Sequence, residues 1–262
     1  MIDIHPPHHA AMTRRDFFIH LVIVTLGIFI DIGLEQAVEA VHHIHQRHQL
    51  EDNLRNELRT DLSRDARNFR VLADIRAYTV ELKSAVTARR NRASSPPAPP
   101  ASTDTRRNQV PTASSIAIWD AAKLDATITL LPSREIDLYH GIVLQHDFTF
   151  NALDDFQHAA FALESFEERF VDSPGAFDMG YLAPPPNLDA MSPADLTQYE
   201  TLLAAYIKAV DRLTIRVHFF DRVARAILDG ATDRDDLTRR AFPGFRPPAL
   251  DVPSSTPESA QP

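Results

Sequence analysis

Four histidines, His42, His43, His45 and His48, fall within seven residues, with Glu35 and Glu39 just before them. On a helix Glu39, His42 and His43 share a face, and His45 and His48 stand one turn apart. Imidazoles at such spacing bind zinc or copper, and a neighbouring carboxylate can complete the shell. One chain offers two ligands per face, so a closed site needs a second subunit. The same histidines also suit an interfacial belt at headgroup depth, apolar edge buried and polar tip wet. Because imidazole is the side chain that changes charge near neutral pH, a third reading is pH-dependent headgroup binding. Glu39, His42, His43, His45 and His48 are therefore the metal candidates, and no cofactor is assigned.

Two further patterns bear on chemistry. Glu39-x-x-His42 and Asp155-x-x-His158 resemble halves of a di-iron carboxylate site, which needs Glu-x-x-His on two helices and a glutamate from each of two others. Here the first pair precedes the predicted bundle and the second begins with aspartate. His146 is a titratable group on an apolar helix stripe, read as a hydrogen-bonded core residue. No phosphate loop, nucleophile elbow, HExxH or kinase signature occurs. No catalytic residue is assigned, and the chain reads as a non-enzyme.

The elements that carry these residues begin with FFIHLVIVTLGIFIDIGL, residues 17–34, interrupted only by His20, Thr25 and Asp31. As a helix it spans about 27 Å, enough for a hydrocarbon core. Arg14 and Arg15 precede it and Arg47 follows at a distance, which favours a cytoplasmic N-terminus. Rival readings are a cleaved signal peptide, with residues 37–40 as the small-residue site, and a twin-arginine export motif at residues 13–18. Asp31, Glu35 and Glu39 crowd that cleavage site, so an uncleaved anchor is the expectation. Within it His20, Val24, Gly27, Asp31 and Leu34 follow alternating steps of four and three. Ionisable residues avoid lipid and glycine lets backbones approach, so this face is predicted to pair two helices in a parallel homo-oligomer, a dimer being favoured.

The 262 residues are 44% hydrophobic and 24% charged, with seven glycines, nineteen prolines and no cysteine. Missing cysteine removes disulfides, thiolate metal sites and cysteine nucleophiles. A net charge of -9 argues against nucleic acid as a partner, since phosphates demand a basic face. Scarce glycine favours helices over tight-turned strands.

Residues 1–13 read as a disordered arm, 14–34 as the transmembrane helix and 35–49 as a helical stalk. Residues 50–92 follow as the first bundle helix. Its stripe is Leu50, Leu54, Leu58, Leu62, Phe69, Leu72, Ile75, Leu82 and Val86. Residues 93–113 form a Pro/Ser-rich linker, and 114–230 hold the remaining helices. Among these, a short helix covers residues 115–130. Ser133 is expected to cap a long one reaching Phe170, its stripe passing through Tyr139, Ile142, His146, Phe150, Leu153, Phe156, Ala160, Leu163 and Phe166. In the last, Ser192 and Pro193 supply the N-terminal signal and Gly230 the C-terminal one. Between them Leu196, Tyr199, Leu203, Tyr206, Val210, Leu213, Val217, Phe220, Ala224 and Ile227 recur at steps of three and four. Residues 231–262 read as a disordered tail. Three rods of similar length and one short helix predict an all-α protein, in which a transmembrane helix continues into an up-and-down four-helix bundle.

The string Arg15-Asp16-Phe17-Phe18-Ile19-His20-Leu21, then Leu26-Gly27, then Leu34-Glu35-Gln36-Ala37-Val38-Glu39 and His42-His43-x-His45, resembles a group of uncharacterised bacterial single-pass inner-membrane proteins. In that group RDF-x-x-HL leads into an apolar LG stretch, LE-x-x-VE and HHRH. The likeness covers about residues 14–60. Ile44-His45 stands where the group has arginine and histidine, and Asp31 where it is apolar. The resemblance implies a membrane anchor followed by helices and brings no activity.

The expectation is a protein of the bacterial inner membrane with a periplasmic bundle, acting as an interaction or structural module on the lipid bilayer with an unidentified protein partner. The alternatives are a sensor whose bundle binds a ligand or proton, and a metal-binding protein that uses the membrane-proximal histidines.

Overall fold

A computed structural model describes residues 14–101, 105–170 and 186–244. The expected arm, residues 1–13, lies outside them. The described chain is all helical, with no strand.

Helix α1, Arg14–Arg90, is continuous over 77 residues. It holds no proline and only two glycines, Gly27 and Gly33, so nothing in it removes a backbone donor or kinks the ladder. At 1.5 Å per residue it is about 115 Å long. The two ends of this rod differ. Every side chain described from residue 14 to residue 45 is exposed. An 18-residue window here has a mean hydropathy of 2.4 and is not buried against the rest of the chain. α1 is therefore long and apolar enough to cross a membrane.

From Leu50 upward α1 joins a bundle with α2 (Ala117–Leu124), α3 (Ser133–Glu167), α4 (Pro193–Leu228) and α5 (Arg234–Ala241). The central rod is α4. Its inner residues, all ten of the predicted series, are buried. It runs antiparallel to α1, with Arg76 Nε 2.7 Å from Asp211 and Thr87 donating to Glu200 at 2.9 Å. It is antiparallel to α3 as well, where Thr149 meets the Arg216 carbonyl and Tyr199 donates to Glu167 at 2.5 Å. Consequently α1 and α3 run the same way. Arg47, at the level where α1 enters the bundle, reaches Glu135 at the start of α3, at 3.1 Å.

This is the alternation of an up-and-down bundle, with the descending leg between α1 and α3 supplied by the return path and α2. From Arg106 the chain comes back down the flank of α1 as a strap. Arg106 holds Glu81, Gln109 holds Asp74, Thr112 holds Asn68 and Ser115 holds Asp61. Between the second and fourth of these contacts six residues cover thirteen of the helix, about 20 Å, or roughly 3.3 Å each, which is nearly full extension. The predicted linker is thus fastened at its lower end: Pro100 and Pro111 are buried while residues 93–99 are exposed, and Thr105–Asn108 form a 3-10 helix.

Three boundaries also move. The helix expected over residues 115–130 ends at Leu124, because Asp125 accepts from the Thr127 amide and hydroxyl and Ala126 turns left-handed at φ 62°. A 3-10 helix, Thr127–Leu130, follows. Ser133 does not cap α3 but is its first residue, after Pro132. The stretch from residue 231, expected as a tail, opens with α5, whose Leu237 and Ala241 are buried. Asp233 caps it through the Asp236 amide at 2.9 Å. Residues 245–262 of that expected tail lie outside the described ones.

Candidate functional site

The bundle's apolar interior is divided. One cluster near the base gathers Leu50, Leu54, Leu58, Trp119, Tyr139, Ile142, Phe220 and Ile227. A second toward the far end gathers Leu72, Ile75, Leu82, Phe156, Phe166, Leu203 and Val210. Between them α1 turns three polar side chains inward, Asp61, Asp65 and Asn68, which are 0%, 3% and 2% exposed. Carboxylates are almost never buried this fully without partners, so their contacts determine what the layer can do.

Asp61 is well served. Its carboxylate accepts the Ser115 amide at 3.1 and 3.2 Å and pairs with Arg64. Arg64 also donates to the Ala113 carbonyl at 3.2 Å. Asn68 clamps the strap from both sides, donating to the Thr112 carbonyl at 2.8 Å and accepting the Thr112 amide at 2.9 Å. One turn below, Glu57 accepts from the Ser115 hydroxyl and the Ala117 amide at 2.7 and 2.9 Å, and so caps the start of α2. The layer is where the strap is fastened.

Asp65 differs. Its Oδ2 is buried and has no hydrogen-bond partner. Across the interface Asp221 on α4 is buried too, and is neutralised by Arg225 through bonds of 2.8 and 2.9 Å. Burial, with repulsion from Asp221 and Asp61 behind it, pushes the Asp65 carboxyl up to about 7. Burial also pushes Asp61 up to about 6, opposed by the Ser115 amide and the Arg64 guanidinium. Two carboxyls four helical positions apart, both raised toward neutrality, can take up a proton close to pH 7.

Comparison of the chain with models of protein families, with curated proteins and with solved structures gives no match. Its chemistry has to be read from its own residues.

The residues singled out in the sequence lie elsewhere. Glu39, His42, His43, His45 and His48 are on the exposed lower part of α1. His43 Nε2 is 3.9 Å from Glu39, and His48 Nδ1 is 3.8 Å from Glu51. Among the described residues no group of three or more His, Asp or Glu side chains of one chain converges as metal ligands would. His20, Val24, Gly27, Asp31 and Leu34 all stand on the exposed lower half. The di-iron pattern does not form. Asp155 pairs with Arg212, and His158, 75% exposed, lies 3.5 Å from Asp154, on the bundle's outside. His146 is mostly buried, 3.3 Å from Asp147 and stacked on Phe150.

Sequence periodicity missed the layer by one residue. Leu62 and Phe69 are only partly buried, while the inner stripe passes through Asp61, Asp65 and Asn68. The signal was present. Starting from Leu58, steps of three and four lead through 61, 65, 68, 72, 75, 79, 82 and 86, so the polar residues interrupt a stripe that is otherwise regular. The same one-residue error occurs on α3, where Thr149 and Ala152 are buried and Phe150 is 57% exposed.

Proposed function

We propose that this chain is a membrane-anchored helical-bundle protein that acts as an interaction or structural module, without catalysis. The carrying observation is the rod α1, whose apolar lower half is exposed and whose upper half is built into the bundle without a break. A segment of that hydropathy is soluble only when lipid or protein covers it. The reading places the anchor in a bacterial inner membrane, with residues 14–34 spanning it, the N-terminus in the cytoplasm and the bundle in the periplasm. Alkaline carbonate extraction of membranes holding the full chain tests the anchor: retention in the pellet supports it and release refutes it. Because the chain has no cysteine, a single introduced cysteine at Leu124, which is 90% exposed, reports the side of the bundle. Labelling by a membrane-impermeant maleimide in spheroplasts supports a periplasmic bundle.

Within the membrane the face of His20, Val24, Gly27, Asp31 and Leu34 pairs two copies in parallel. Replacing Asp31 with leucine is expected to lower crosslinking of the full chain in membranes several-fold. Unchanged crosslinking removes that face from the reading.

A second reading, a proton-responsive sensor, is favoured by one observation, the buried and unpartnered Oδ2 of Asp65 beside Asp61 and Asp221. The chain has a single tryptophan, Trp119, which is buried in the basal cluster next to the layer. Its fluorescence should titrate between about pH 6 and pH 7 if the layer rearranges on proton loss, and the transition should vanish in Asp65→Asn. A flat profile in the native chain rejects the sensor.

A further inference from the structure

We propose that a second copy of this chain packs in parallel along one face of α1 from His20 to His48, and that the paired His45 and His48 side chains at its top hold a divalent transition-metal ion such as zinc. This rests on the membrane pairing proposed above and extends it beyond the bilayer.

Residues His20, Val24, Gly27, Asp31, Leu34, Val38, Val41, His45 and His48 alternate in steps of four and three without a break. That is the 3.5-residue period of a two-stranded seam. Val38 and Val41 lie above the apolar window, yet are 64% and 67% exposed in the single chain. On a stalk standing in water a partner helix packed on this face would remove both from solvent. The stalk's charged groups keep off the seam: Glu39 lies beside His43, and Arg47 is bonded to Glu51 at 2.6 Å. Along the stalk a parallel partner can therefore approach without burying Glu39 or Arg47.

The bundle leaves the seam open. Gln46 and Arg47 are partly buried and Leu50 is buried, which fixes the side of α1 that faces α2 and α3. At about 100° per residue, His45 and His48 point to the opposite side, and both are exposed. Continuing the same steps upward gives Asp52, Arg55 and Arg59. Like charges facing across a two-fold axis repel, so the seam ends at His48 and the bundles diverge above it.

The occupant is a second copy because membrane insertion orients all copies alike and sets their seams at the same height. One helix presents two imidazoles a turn apart, which is half a coordination shell. The two-fold axis doubles them to four nitrogens, the number and type that tetrahedral zinc accepts. This also accounts for the absence of a three-residue ligand group within one described chain. Glu51 Oε2 lies 3.8 Å from His48 Nδ1, where a carboxylate can orient a metal-bound imidazole through its second nitrogen.

The test uses the full chain in lipid nanodiscs with single cysteines at Val24, Val41 or Glu39, oxidised with and without zinc. Val24→Cys and Val41→Cys are expected to crosslink several-fold more than Glu39→Cys. The chain dialysed against zinc should keep about one ion per two chains, and zinc should raise Val41→Cys crosslinking. Both effects should be lost in His45→Ala/His48→Ala and kept in His42→Ala/His43→Ala. All these sites are exposed, so helicity measured by circular dichroism should stay constant. Crosslinking at Val24→Cys but not Val41→Cys overturns the extended seam and leaves the membrane dimer standing. Crosslinking at both without retained zinc overturns the metal site. Failure at both positions refutes the membrane pairing itself.

Discussion

α4 and the upper part of α1 are rods of similar length that lie against each other in opposite directions, yet their inner faces are built differently. Along α4 every inner position of the 3–4 series is an apolar or tyrosine side chain, and Tyr199, Leu203, Val210 and Ala224 are all 0% exposed. Along α1 the same series breaks for Asp61, Asp65 and Asn68. The first face is held by surface removed from water, which is non-directional. The second holds one particular segment in one register, because the Thr112 amide and carbonyl, the Ala113 carbonyl and the Ser115 amide find their partners there. α4 supplies cohesion; the polar layer of α1 supplies specificity at some cost in stability.

The contrast can be broken most severely on α4. Leu203→Ala empties a fully buried site in the far cluster and is expected to cost about 2–5 kcal/mol, measured by urea denaturation. A cost below about 1 kcal/mol would mean that the cluster is loosely packed. Asp65→Asn acts in the opposite direction. A carboxyl whose pKa rises on folding keeps its proton to higher pH in the folded chain than in the unfolded one. The folded state therefore binds more protons from about pH 4, the unfolded value, up to about 7, and stability falls as pH climbs through that window. Asparagine mimics the protonated acid, so the variant should be more stable than the native chain by about 4 kcal/mol at pH 8 and little different at pH 4. A parallel shift at both pH values would discard the titration account.

Asn68→Ala removes both bonds to Thr112 and is expected to cost about 1–3 kcal/mol, since the Thr112 amide and carbonyl lose their partners. Limited proteolysis should then cut near residue 112 earlier than in the native chain. The smallest effect belongs to the end of α4. Ser192 and Asp195 form a reciprocal capping box, and Ser192→Ala should cost about 1 kcal/mol.

How far the sequence could be read follows the same division. The register of α4, its proline-led start and its glycine end (Gly230, φ 82°) were legible because each rests on side chains close together in sequence. The apolar lower half of α1 was legible for the same reason. The polar layer was not, because hydropathy assigns an aspartate to solvent, and only a partner 54 residues away, Ser115 for Asp61, reverses that. The strap is the same case. Its prolines and serines signal an extended chain, but nothing local says that it lies along α1. α5 is short and strongly charged, and it is held by Leu237, whose Cδ2 lies so close to Gly141 that a Cβ there would meet it at 3.2 Å.

The unbroken helix joining membrane and bundle also works as a shaft. With no proline and no hinge between Gly33 and Arg90, the azimuth of the bundle about the membrane normal is locked to that of the anchor. Each residue turns the helix by about 100°. Inserting one alanine into the stalk therefore swings the whole bundle through more than a quarter circle while lifting it by only about 1.5 Å. Seven inserted residues nearly restore the phase and raise it by about 10 Å. Any partner that engages the bundle from a fixed position beside the membrane meets it at one angle, set by the number of residues beneath it.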